Sequence, residues 1–288
     1  MITLTAGTAK AEILPDMGGG LAGLWQGDRP ILRPWSGNRA EGPFALACNL
    51  LLPFSNRISH GFTFDGRYHP IPPNLPGEPF PIHGDAFQRP WSHHATQDSA
   101  DLTLTHGTIG PFLYDAQARY ALTDTTLTIT LTLTNRAALT LPYGIGLHPW
   151  FPRDADTRLQ FHATGYWPEN ANHLPATSAP LPLINPWDNP APLPSRWINQ
   201  GFSGWDGQAR ITQGPAAISL TATGLSTALL YSPSATADFF CFEPVSHPVD
   251  AHNLPGQPGL APLGQGASLT ASLSLTWAPD ATNPKVTP

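Results

Sequence analysis

Along one stretch of the chain apolar and polar residues alternate without a break. Leu127, Ile129, Leu131 and Leu133 interleave with Thr126, Thr128, Thr130, Thr132 and Thr134. Successive side chains of an extended strand point to opposite faces, so this spacing predicts a strand with one buried and one solvated face. Leu269, Ala271, Leu273, Leu275 and Trp277 repeat the pattern near the C-terminus, and shorter versions occur at residues 102–104 and at Ile218, Leu220 and Ala222. No run of helical spacing extends beyond a turn or two. Many strands without intervening helices predict an all-β sandwich or barrel, not an alternating α/β fold.

Composition agrees with that expectation and narrows it. The 288 residues include 34 prolines and 26 glycines, a density that few helices could absorb. Disorder can produce such a composition, but 9 Trp, 6 Tyr and 13 Phe spread along the chain supply a core. Eight prolines fall within residues 168–194. That is too many for a central strand, so the segment is expected to be a long surface excursion. No linker separates two cores, which predicts one domain over residues 1–279 and a frayed tail over 280–288.

The net charge of −6 comes without any basic run, so nucleic acid is not an expected partner. No apolar stretch reaches the roughly 18 residues of a membrane span, and the first residues lack the basic and apolar regions of a signal peptide. Cys48 and Cys241 form no CxxC pair, which points to free thiols in a reducing cytoplasm.

Four segments break the alternation and join an ionisable residue to Gly or Pro and bulky apolar neighbours. They are Pro53-Phe54-Ser55-Asn56-Arg57-Ile58, Pro81-Ile82-His83-Gly84-Asp85, Gly144-Ile145-Gly146-Leu147-His148-Pro149-Trp150-Phe151 and Phe240-Cys241-Phe242-Glu243-Pro244-Val245-Ser246-His247, the last continuing to Asp250 and Asn253. Such surroundings desolvate a titratable group and hold it in one orientation. In their order along residues 56–253 they resemble the aldose 1-epimerase (galactose mutarotase) family, which has an Asn-Arg-Ile, a His-Gly, a His-Pro-aromatic-Phe and a Glu-Pro element. The resemblance implies a large antiparallel β-sandwich, the mutarotase-like supersandwich. It also implies a cofactor-free isomerase that interconverts the anomers of a hexose, as a monomer or homodimer.

Mutarotation passes through the open-chain aldehyde, so it needs a base at the anomeric hydroxyl and an acid at the ring oxygen. By resemblance Glu243 is the base, His148 the acid, and His83 a second histidine at the ring oxygen or a neighbouring hydroxyl. Arg57, Asn56, Asn199, His247 and Trp150 are the expected substrate contacts. Asn199 departs from the family, which usually carries an aspartate there. No Lys/Arg cluster stands near the motifs to hold a phosphate or sulfonate, so a neutral aldose is the expected partner.

Two other readings use the same residues. His83, His148 and Glu243 could form a two-His, one-carboxylate metal set, or the chain could bind carbohydrate without turning it over. A pure binder, however, needs neither a proton donor nor a base. Two further motifs point elsewhere only on paper. Gly18-Gly19-Gly20-Leu21-Ala22-Gly23 matches a dinucleotide-binding string but lacks a βαβ unit, so a turn between strands is expected. Ser246, His247 and Asp250 stand too close in sequence for a hydrolase triad. Trp205-Asp206-Gly207 reads as a turn, and His93-His94 as a solvated strand edge.

Overall fold

A computed structural model of the protein describes residues 1–182, 185–213 and 216–278. The expected tail over 280–288 lies outside the described residues. The Leu/Thr alternation forms the strand Thr126–Asn135, whose odd-numbered positions 127 to 135 are all buried. It pairs antiparallel with Phe112–Leu122 on one side and Ser268–Trp277 on the other. On the inner face Leu127 meets Leu275 and Ile129 meets Leu273. On the outer face hydroxyls pair across the strands, Thr128 with Ser274 at 2.9 Å and Thr134 with Ser268 at 2.8 Å. Each such pair contributes a few tenths of a kcal/mol, about 0.2–1; the buried leucines contribute more, roughly 2 kcal/mol each.

These three strands are central to a nine-stranded sheet that runs from Ala191–Pro192 at one edge to Ser92–Ala95 at the other. A second sheet of eleven strands begins at Ile2–Ala6 and ends at Ala179–Pro180. Every strand pairing among the described residues is antiparallel, apart from a lone parallel bridge between Leu52 and Gly84. One continuous cluster of buried side chains fills the space between the sheets, from Leu4, Leu21 and Phe151 on one side to Tyr120, Leu131 and Trp277 on the other. Polar groups inside it are satisfied across the gap. The Tyr120 hydroxyl donates to the Gly19 carbonyl at 2.6 Å, and the Trp277 indole N–H donates to Gln26 Oε1. The all-β sandwich is therefore what the chain adopts.

The proline-rich excursion travels from the edge of one sheet to the edge of the other. Among its described residues the strands are the two-residue Ala179–Pro180 and Ala191–Pro192, both terminal in their sheets. Proline brings no N–H to a strand ladder, so a segment this rich in it pairs only at sheet edges, whereas Pro149 and Pro244 stand singly within the central strands Gly146–Pro152 and Phe239–Val245. The glycine run at 18–20 is a turn between strands Ala9–Leu14 and Gly20–Gln26. Gly18 has φ of +71°, and a Cβ there would lie 2.1 Å from the Phe87 carbonyl oxygen. Asp206 caps its own turn by accepting from the Gln208 N–H, and His93 and His94 are exposed on an edge strand. Among the described residues no helix is long and apolar enough to cross a membrane.

Candidate active site

Two adjacent strands of the eleven-stranded sheet, Gly146–Pro152 and Phe239–Val245, carry the centre of the site. Their register pairs Gly146 with Val245 and Trp150 with Cys241, which brings His148 opposite Glu243. His148 Nε2 stands 3.4 Å from Glu243 Oε1. Both residues are almost completely buried, and among the described residues His148 Nδ1 and Glu243 Oε2 have no hydrogen-bond partner. Orphaned buried polar atoms are costly and uncommon, and they cluster at functional sites.

His83 reaches the same place from a loop. It has φ of +60°, and the following Gly84 has φ of +68° with the Leu52 carbonyl oxygen 1.9 Å from where a Cβ would stand. A left-handed non-glycine residue costs on the order of 1 kcal/mol, and this one is held by four hydrogen bonds. The His83 N–H donates to the Asn56 carbonyl, and the Asn56 N–H donates back to His83 Nδ1, both at 2.9 Å. The Asn74 amide donates to the carbonyls flanking His83, those of Ile82 at 2.9 Å and Gly84 at 2.6 Å. Because Nδ1 accepts, the proton of neutral His83 sits on Nε2, and the ring is a donor toward the cleft. The rings of His83 and His148 meet edge to face with centroids 5.3 Å apart, and Phe44 packs against both.

Burial dominates the titration of these groups. It raises the Glu243 carboxyl to about 8, opposed in part by the Arg57 guanidinium. It lowers His148 to about 3, and it pushes His83 well below the usual histidine range with further help from His148. At neutral pH, therefore, both imidazoles are uncharged and one acidic proton resides on the carboxyl side of the His148–Glu243 pair.

A cleft of about 480 Å³ opens over this centre. Its lining includes His83, His148, Glu243, Asn56, Arg57, Trp150 and Asn199, so seven of the eight expected site residues come together. Arg57 is clamped: its Nε and Nη2 each donate to Glu78 at 3.0 Å, leaving Nη1 uncommitted to that carboxylate. Trp150 stacks on His148 at 5.1 Å and 11°, and the Arg33 guanidinium lies 4.1 Å from the Trp150 ring centroid. Trp150 thus braces His148. Trp197, 46% exposed, is the aromatic of the lining with the most free surface.

His247 is the eighth, and the structure keeps it out of the cleft. Its Nε2 accepts the Ser55 N–H at 3.1 Å, and its Nδ1 pairs with the Pro248 carbonyl at 2.8 Å. With both nitrogens engaged and 1% of its surface exposed, it holds the 53–57 loop in place. Ser246 and Asp250 likewise serve the loops, accepting from Ile145 and Ser59, and form no triad with it. Among the described residues no three His, Cys, Asp or Glu side chains are arranged to hold a metal ion.

The sequence profile of the family described as aldose 1-epimerase matches residues 1–276. The chain belongs to that family. Among curated relatives, the uncharacterized protein YphB of Escherichia coli (strain K12) is 37% identical over 287 residues, covering 95% of this chain and 97% of its own. A crystal structure of an Escherichia coli K12 protein with a provisional aldose 1-epimerase designation superposes with a TM-score of 0.89 at 36% identity, over 96% of this chain and 98% of that one. A galactose mutarotase-like protein of Clostridium acetobutylicum shares the fold, with a TM-score of 0.83 at 19% identity, over 96% and 94% of the two chains.

Several aldose 1-epimerase cleft residues escaped the motifs. Asn74 and Glu78 act on His83 and Arg57, and Phe44 and Tyr231 line the cleft. The excursion supplies Asn172 and His173 to the lining, and Glu169 stands behind it. None has a local signature, because each is an ordinary loop or strand residue until the fold sets it beside its partner.

Proposed function

We propose that this aldose 1-epimerase family member is a mutarotase that interconverts the α and β anomers of a neutral aldose by acid–base ring opening in the His83–His148–Glu243 cleft. The observation that carries the reading is the His148–Glu243 contact at 3.4 Å, desolvated and open to a sugar-sized cleft. Ring opening moves two protons at once, one off the anomeric hydroxyl and one onto the ring oxygen. A pair that holds one proton between a carboxyl and an imidazole offers a base and an acid together.

In the empty cleft desolvation favours the neutral form, protonated Glu243 with neutral His148. Sugar hydroxyls that donate to Glu243 stabilise its carboxylate and shift the proton to His148. Glu243 then takes the anomeric hydroxyl proton while His148 protonates the ring oxygen, and the C1–O5 bond breaks. Rotation about C1–C2 turns the other face of the aldehyde toward the ring hydroxyl, and the reverse transfers close the opposite anomer. His83 Nε2–H donates to an oxygen of the reacting centre, and Arg57 and Asn56 position neighbouring hydroxyls.

Polarimetry or NMR on freshly dissolved α-glucose and α-galactose tests the proposal. The protein is expected to speed relaxation to the anomeric equilibrium. An unchanged buffer rate for every common aldose, glucose and galactose included, overturns it.

A further inference from the structure

One carboxylate outside the acid–base centre organises a whole side of the cleft. Glu169 follows the short strand Gly165–Trp167 into the excursion. Its Oε1 receives the Asn199 side-chain amide and pairs with His173 Nδ1 at 2.6 Å, while its Oε2 accepts the Trp197 indole N–H at 2.9 Å. Trp197, Asn199 and His173 all line the cleft. Sheet register fixes where this wall stands. Asn199 pairs with Tyr231, and Tyr231 with Cys241, two residues from Glu243 on the same strand face. Two interstrand steps separate the wall from the Glu243 strand, about 10 Å. That distance suits the hydroxyls of a bound aldose remote from C1.

A carboxylate only accepts hydrogen bonds, so it dictates which end of each partner faces it. The Asn199 NH2 turns toward Glu169 and its carbonyl Oδ1 is left for the cleft. The His173 Nδ1–H turns inward, which leaves Nε2 for the cleft. The Trp197 indole is pinned by its edge, leaving a face for the apolar side of a sugar ring.

We propose that Glu169 is a specificity-determining residue. Through Asn199, His173 and Trp197 it sets a carbonyl acceptor and an aromatic face on the far wall, which select the hydroxyl-bearing end of an unmodified aldose over an anionic sugar. The inference rests on the mutarotase reading above. A phosphate or carboxylate at that end would face the Asn199 carbonyl oxygen backed by the Glu169 carboxylate, whereas a hydroxyl can donate to it. The departure at Asn199 follows from the same geometry, since an aspartate there would set one carboxylate against another.

The test is an exchange of the two polar groups, read as KM and kcat for anomer exchange, with folding checked by thermal melts. Glu169→Gln and Asn199→Asp alone should each raise KM for the best aldose about tenfold. Both should leave kcat within about twofold and the alkaline limb of the pH profile unmoved. The double variant, in which amide and carboxylate trade places, should recover to within about threefold of wild type. A residue serving only loop stability would not produce that reciprocal rescue. Wild type should also turn over hexose 6-phosphates at least about tenfold less efficiently than the parent sugars. A double variant no better than the singles, or a preference for the 6-phosphate, overturns this inference while wild-type turnover keeps the mutarotase reading. Wild type that leaves every aldose at its buffer rate sinks both.

Discussion

The two ends of the cleft are built in opposite ways. At the proposed reacting end His148 and Glu243 sit on neighbouring strands of the large sheet, buried and fixed by backbone register. At the far end Glu169, His173, Trp197 and Asn199 come from a proline-rich excursion and an adjoining strand. There the arrangement is held by side-chain hydrogen bonds to one carboxylate. Proton transfer needs a low dielectric and groups that do not move, and ladder hydrogen bonding inside a core supplies both. Recognition of hydroxyls needs accessible donors, acceptors and an aromatic face, and those can stand on a loop so long as something orients them. Burial therefore tunes the reacting end, and hydrogen-bond direction tunes the far end.

Substitutions at the two ends should therefore fail differently. Glu243→Gln should reduce anomer exchange about 10³- to 10⁴-fold, at the upper end of general acid–base effects. The melting temperature should stay close to wild type, because the carboxyl is already uncharged at neutral pH. Polarimetry beside circular dichroism checks both, and a variant retaining a tenth of the activity would remove Glu243 from the chemistry.

Acid should act on the same end through stability. Burial lowers His148 and His252 to about 3, His247 to about 4, and His83 well below its usual value. In the unfolded chain these histidines take up protons near pH 6.5, while the folded protein refuses them. Their stabilisation is therefore present above about 6.5 and lost as pH falls toward 4. Glu243 works the other way: its raised carboxyl favours the folded state below the unfolded value near 4.5, and that contribution fades up to about 8. Four histidines outweigh one carboxyl, giving a loss on the order of a few kcal/mol per pH unit between about 6 and 4.5. Urea titrations across that range should show it, and a stability indifferent to pH there would contradict neutral burial.

The alkaline side reads the shared proton directly. Above about 8 Glu243 ionises while His148 stays neutral, so the pair loses its acid. The ratio kcat/KM should be level near neutrality and fall tenfold per pH unit beyond that point. Activity that instead climbs steadily through pH 9 would mean the carboxylate alone suffices.

The smallest effect belongs to the exposed wall. Trp197→Ala should raise KM about three- to tenfold with kcat nearly constant, the scale of an aromatic contact worth roughly 0.5–1.5 kcal/mol. A loss confined to kcat would place Trp197 with the chemistry and blur the distinction between the ends.

The strands were the most legible part of the molecule. Period-two alternation at residues 126–135 and 268–277 reports a buried face because each residue's side is fixed by the one before it. The excursion was legible too, since proline states where it cannot be. The burial of the proposed acid–base pair could be read from its neighbours, since a Glu between Phe242 and Pro244, or a His ahead of Pro149, has an apolar environment written into the chain, while the roles came from the family resemblance. His247 shows the limit of that reasoning. It looked like the others in sequence, but whether its nitrogens face a ligand or the Ser55 N–H depends on a loop 192 residues away.

By itself, then, the order of residues determined the all-β architecture, which depends on local periodicity, and the family, which four short motifs in order along the chain mark. Only the tertiary structure decided which polar atoms remain free. Glu78 on Arg57 and Glu169 behind Asn199 are long-range pairings, and Asn74 closes on His83 across a loop. A hydrogen bond's direction is set by where its partner finally stands, and no spacing along the chain encodes that position.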